Sequence, residues 1–98
     1  MFRVSGEWVS PIEVETALVA HAAVLESAVV AHRDEDGLLQ PRAFVTLKHP
    51  ERACMALADE LRQFARQRLA GYKCPRRIEF LEELPKTATG KVQRYKLR

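Results

Sequence analysis

Two valine-rich runs, residues 25–32 (LESAVVAH) and 40–47 (QPRAFVTL), lie only a charged loop apart and are apolar through most of their length. Runs of this length and β-branched content, bounded by a charged loop with Gly37 at its tip, read as strands. Near-continuous apolarity means strands covered on both faces, or nearly so. With 98 residues, folding hides only about 60 to 65% of the unfolded surface, so a single marginal core is expected and docking on a larger partner is a reasonable expectation. Pro41 weakens the start of the second strand and favours a sheet edge or a strand entrance there.

The flanking segments read as follows. Ser5-Gly6 separates two short extended stretches, 2–4 and 7–9, which predicts a small hairpin or tight bend. Ser10 is placed as an N-cap, Pro11 occupies the first helical position, and Glu13 stands three residues after the cap to close a capping box, with Val9 and Val14 as a hydrophobic staple. This helix carries Val14, Ala17 and Leu18 on one side and breaks near His21. A second helix is predicted over 54–70 from Leu57, Leu61, Phe64, Ala65 and Leu69, with Gly71 as its stop. After Tyr72 and Pro75, residues 77–81 supply a third strand. Residues 85–90 (PKTATG) are turn-rich, and 92–97 predict a last helical turn or two. The sum is an α+β domain: a small central sheet of about three strands plus an N-terminal hairpin, flanked by two or three helices.

Composition removes several function classes. Hydrophobic residues make up 47% and charged residues 30% of the chain, as in one soluble domain. No apolar run approaches the roughly 18 residues of a membrane span, and residues 1–8 lack the regions of a signal peptide. Cys54 and Cys74 have no disulfide or zinc spacing and read as small packing residues, so a reduced, cytoplasmic location is expected. His21, His32 and His49 share no ligand spacing, and Asp34, Glu35 and Asp36 lack the pattern of a calcium loop.

Charge is unevenly distributed. Residues 1–65 carry 6 Lys/Arg against 10 Asp/Glu, whereas residues 66–98 carry 10 against 3. This basic last third fits either a solvated terminus or a face that meets anions. Lys91 is the sharpest candidate within it, since the loop Thr87-Ala88-Thr89-Gly90 can bring an ammonium close to a phosphate. It is no P-loop, because Val92 follows the lysine and the first glycine is missing. Lys73, Arg76 and Arg77 form a second basic group suited to nucleotide phosphates or to a solvent-facing strand entrance. A small basic nucleic-acid-binding or docking module is the alternative reading. Nucleic acid is disfavoured because aromatic residues are only 7% of the chain and only Tyr95 is interleaved with the tail cations.

Four segments, in order, resemble one family: 4–15 (VSGEWVSPIEVE), 28–30 (AVV), 72–75 (YKCP) and 84–91 (LPKTATGK). They are strongly similar to the C-terminal domain of AMP-forming acyl-CoA synthetases, within the adenylate-forming superfamily, and most similar to bacterial benzoate-CoA and related aryl-CoA ligases. The resemblance implies a two-step reaction. A carboxylate and ATP give an acyl-adenylate, and coenzyme A then displaces AMP. It implies that Lys91 contacts the carboxylate and α-phosphate in the first step. After a rotation of the domain, Ser5, Gly6, Glu7 and Trp8 would line the pantetheine channel. The coenzyme A phosphates are expected at Arg76, with Lys73 next, although some relatives carry an arginine where Cys74 stands. Mg²⁺ would enter with ATP and not through this domain. Acetylation of Lys91 by a lysine acetyltransferase would switch the first step off. The whole chain, 1–98, then corresponds to a single mobile C-terminal domain. The large N-terminal AMP-binding domain, with its phosphate loop, adenine pocket and acyl pocket, is absent from it. The chain is accordingly expected to begin close to the family's hinge and to be inactive alone.

Overall fold

In the computed structural model, which describes residues 1–4 and 6–97, Phe2–Val4 (β1) and Glu7–Val9 (β2) pair antiparallel from Phe2↔Val9 to Val4↔Glu7. Gly6 makes the reversal with φ +84°, a conformation that costs glycine little and other residues more. Pro11–Val19 (α1) follows at once, with Ser10 at the N-cap.

The capping box does not form. Ser10 makes no side-chain cap bond, and the Glu13 carboxylate instead accepts from Lys73 Nζ at 2.8 Å. A charged partner supplied by the tertiary fold outcompetes the local backbone N–H for that carboxylate. The staple pair Val9 and Val14 is fully buried in one cluster.

Val24–Arg33 (β3) and Leu39–Leu47 (β4) pair antiparallel, and Arg77–Phe80 (β5) adds parallel to β4 in register Arg42↔Arg77 to Val45↔Phe80. A parallel neighbour requires a long crossover, which Met55–Arg68 (α2) provides. The order is β3-β4-β5, so β4 is the central strand. Pro41 is therefore not on an edge strand. It occupies a strand entrance just before the β5 pairing begins, where its carbonyl accepts from Arg76 N–H at 3.3 Å.

The sheet is covered on both faces. On one, Val24, Val29, Ala43, Val45, Leu47 and Ile78 pack with Val14 and Leu18 of α1, Leu57, Leu61 and Ala65 of α2, and Val4 and Val9 of the hairpin. On the other, Ala28, Val30 and Phe44 are closed by Leu84, with Leu81, Val92 and Leu97 of the C-terminal segment packed against them. The second layer is thus built from a tail and not a helix. The helical turn expected over 92–97 is one 3-10 turn, Arg94–Lys96.

Two boundary expectations also shift. The second helix ends before Gly71: Leu69 is already extended, with φ −127° and ψ 152°, and Gly71 opens a 3-10 turn, Gly71–Lys73, at negative φ. Cys54 is not a packing residue. It is exposed and caps α2, its Sγ accepting from Leu57 N–H at 3.4 Å. Cys74 is buried, as a packing residue should be. No described helix is long and apolar enough to cross a membrane.

Candidate functional site

Lys91 stands at the foot of a closed turn. Thr87 O accepts from Gly90 N–H and Lys91 O accepts from Thr87 N–H, both at 2.9 Å. Thr87 Oγ1 accepts from Lys91 N–H at 3.1 Å and lies 3.0 Å from Thr89 Oγ1. Gly90 turns the chain at φ +87°. Below the turn, Lys86 and Val92 bridge antiparallel, and Gln93 N–H donates to Pro85 O at 2.8 Å. The threonine hydroxyls of the loop thus shape the turn that holds the lysine. The Lys91 side chain is exposed and makes no ion pair among the described residues.

Three other cations of the basic third are paired with acids, whereas Arg66, Arg68, Arg76, Arg77 and Lys96 make no ion pair among the described residues. Lys86 Nζ lies 2.8 and 2.7 Å from the two carboxylate oxygens of Glu26. Arg94 grips Glu15 with Nε at 2.8 Å and with a second guanidinium nitrogen. Its value is raised above the usual guanidinium range chiefly by that hydrogen bond. The uneven charge seen in the sequence is therefore only partly neutralised within the fold.

The hairpin belongs to the helix-side core, through Val4 and Val9, while the Lys91 turn rests on the opposite core through Leu84 and Val92. The two candidate surfaces are thus anchored on opposite faces of one sheet. Around Gly6 the space a side chain would take is open. Glu7 and Trp8 are exposed, and the Arg3 guanidinium sits 4.7 Å from the Trp8 ring centre. Ser5 lies outside the described residues.

Strand β2 packs against the Gly71–Lys73 turn, which brings Lys73 beside the hairpin. Its ammonium is held by Glu13, and that hydrogen bond raises its pKa above the ordinary lysine value. Arg76 is exposed and belongs to two clefts. One, about 510 Å³, is lined by Arg62, Arg66, Cys74 and Pro75 among others. The second, about 460 Å³, includes Arg33, Arg42 and Arg77 facing Asp34, Glu35 and Asp36. Arg66 lies on α2, outside the apolar spacing that marks that helix in the sequence. Only the return of the chain after Gly71 brings it to the same cleft as Arg76, so no local pattern points to it. Burial pushes the Cys74 thiol up, with Arg66 acting in the opposite sense.

The histidines are structural or surface groups. His21 Nδ1 accepts from Ala23 N–H at 3.0 Å while Nε2 lies 2.6 Å from Glu60. No group of three His, Cys, Asp or Glu among the described residues could hold a metal ion.

The AMP-binding enzyme C-terminal domain family matches residues 13–91, and the chain belongs to it. Its relatives include the benzoate–CoA ligase of Thauera aromatica, 58% identical over the whole chain, and the 4-hydroxybenzoate–CoA/benzoate–CoA ligase of Rhodopseudomonas palustris, 48% identical over the whole chain. The chain spans only 19% and 18% of those two proteins. Among solved structures, an anthranilate CoA ligase in complex with anthranoyl-AMP aligns with a TM-score of 0.94 at 49% identity, covering 100% of this chain and 19% of the other. A benzoate CoA ligase from Burkholderia xenovorans aligns with a TM-score of 0.86 at 55% identity, covering 94% and 19%.

Proposed function

We propose that residues 1–98 form the mobile C-terminal domain of an ATP-dependent, AMP-forming carboxylate–CoA ligase acting on benzoate or another aryl acid. Its immediate partner is a large N-terminal AMP-binding domain, and its substrates are the acid, ATP and coenzyme A. The observation that carries this reading is the exposed Lys91 ammonium, unpaired among the described residues and held on a braced turn, in a chain so similar to aryl-CoA ligases.

The chemistry asks for such a group. In the first step a carboxylate oxygen bonds to the α-phosphorus of ATP as the bond to pyrophosphate breaks, and negative charge builds on the phosphoryl oxygens. A preorganised ammonium stabilises that charge without reorganising water. In the second step the coenzyme A sulfur bonds to the acyl carbon, AMP leaves, and the thiol proton passes to solvent. Ser5, Gly6, Glu7 and Trp8 are proposed to border the pantetheine. Arg76 and Lys73, with Arg66, are proposed to meet the phosphates. Mg²⁺ would travel with ATP, held largely by the nucleotide's own phosphates. A cytoplasmic location is part of the proposal and agrees with the two free thiols.

Lys91→Ala in the intact ligase should slow adenylate formation roughly 100- to 1000-fold, about 3 to 4 kcal/mol, while largely sparing thioester formation from supplied acyl-adenylate. Equal loss in the two half-reactions would overturn the assignment. Acetylation of Lys91 by a lysine acetyltransferase would remove the same charge, with the same selective loss and recovery on deacetylation.

A further inference from the structure

Glu15 is a carboxylate in the middle of α1 with only 9% of its surface exposed. A buried carboxylate is tolerated when donors compensate it, and three do so here. Val29 N–H of β3 donates to Oε2 at 2.7 Å. Arg94 Nε donates to the same oxygen at 2.8 Å, and a terminal nitrogen of Arg94 donates to Oε1. The Glu15 backbone oxygen accepts from Ser27 Oγ at 3.0 Å. The residue therefore joins α1, the edge of the sheet and the C-terminal segment at one point. Arg94 follows Lys91 by three residues, and between them Val92 is packed into the second core.

The Lys91 turn thus has two feet, each tied to an acid of the rigid body. Lys86–Glu26 holds the first foot, but both side chains are more than a third exposed, and exposed pairs constrain weakly. At the second foot Arg94 is exposed to a similar degree, 37%, but its partner Glu15 is only 11% exposed, and the two-point grip fixes direction as well as distance. We infer that Glu15, acting through Arg94, is a positioning residue that fixes where the Lys91 ammonium stands for adenylation. The inference rests on the proposed role of Lys91. Apolar packing alone would hold the tail down without setting its orientation, whereas a two-point ionic contact to a buried carboxylate does both.

The test is made in the intact ligase with Glu15→Gln, which keeps an acceptor for Val29 N–H while removing the charge, and with Arg94→Ala, which changes a part-exposed side chain. A displacement of about 1 Å at a reacting group costs up to roughly 100-fold. Each variant should therefore lower kcat for adenylate formation about 10- to 100-fold with KM for ATP little changed, and leave thioester formation from supplied acyl-adenylate near wild type. Combined with Lys91→Ala, neither should add a further loss, because a positioning residue has nothing to position once the ammonium is gone. Equal slowing of both half-reactions, full additivity with Lys91→Ala, or no effect from either variant would overturn the inference while leaving Lys91 in place. If Lys91→Ala itself is unselective, the underlying reading fails instead and takes this one with it.

Discussion

Two lysines of the basic third, both candidates for contact with anions, end in different electrostatic conditions. Lys91 is unpaired among the described residues, while the Lys73 ammonium already donates to Glu13. An ammonium neutralised in this way offers less to an incoming phosphate than the exposed guanidinium of Arg76, which can also bind phosphate in a two-point fashion. Arg76→Ala in the intact ligase should therefore raise KM for coenzyme A by about 10-fold, in line with loss of one charged hydrogen bond, and Lys73→Ala by less. Steady-state kinetics at saturating ATP and acid checks the order, and a larger effect at Lys73 would show that Glu13 gives it up. The sign of the pH dependence follows from the raised Lys73 value. The pair's contribution is fully present below the ordinary lysine value and disappears as pH rises through the higher folded-state one. The interior position offers a contrast, since Leu61 of α2 is fully buried in the helix-side core. Its identity was legible from helical spacing alone.

The hairpin and the helix after it show how far local signals reach. Ser-Gly between two short extended runs located β1 and β2 correctly, because a turn with φ above zero selects glycine whatever surrounds it. Ser10 and Pro11 marked the start of α1 for the same kind of reason. Glu13 misled, because the capping box is also a local pattern but its acid found a charge 60 residues away. The glycine rule failed in the other direction at Gly71, where the helix had already ended in an extended Leu69. Gly6 tests the hairpin's proposed role. Open space surrounds it, yet φ +84° makes any side chain strained by roughly 1 to 3 kcal/mol. Gly6→Leu in the intact ligase should slow thioester formation more than adenylate formation. Selective slowing of adenylation, measured on the separated half-reactions, would exclude the hairpin from the coenzyme A path.

Across the whole molecule the two proposed surfaces have their anchors on opposite faces of a three-stranded sheet, so a domain of this shape presents one or the other to a fixed partner. That is the geometry a two-step ligase needs if the domain turns between steps. In the proposed scheme the acid and the adenosine of ATP are bound by the N-terminal partner domain. The purified 98-residue chain should accordingly yield no acyl-CoA from ATP, benzoate and coenzyme A, and product above background in a coupled AMP-release assay would refute the division of labour. The elements themselves were readable because strand and helix identity follow from periodicity and from turn chemistry within a few residues. The segment 84–91 announced the Lys91 turn in the same way. Tertiary structure alone decided that β4 is central, that β5 runs parallel to it and that a tail closes the second face. It alone also decided that Glu13, Glu15 and Glu26 meet Lys73, Arg94 and Lys86 across 60, 79 and 60 residues. Local backbone preference is written in neighbouring side chains, whereas the partner of a buried or braced charge depends on which distant segment the packing of both faces brings alongside it.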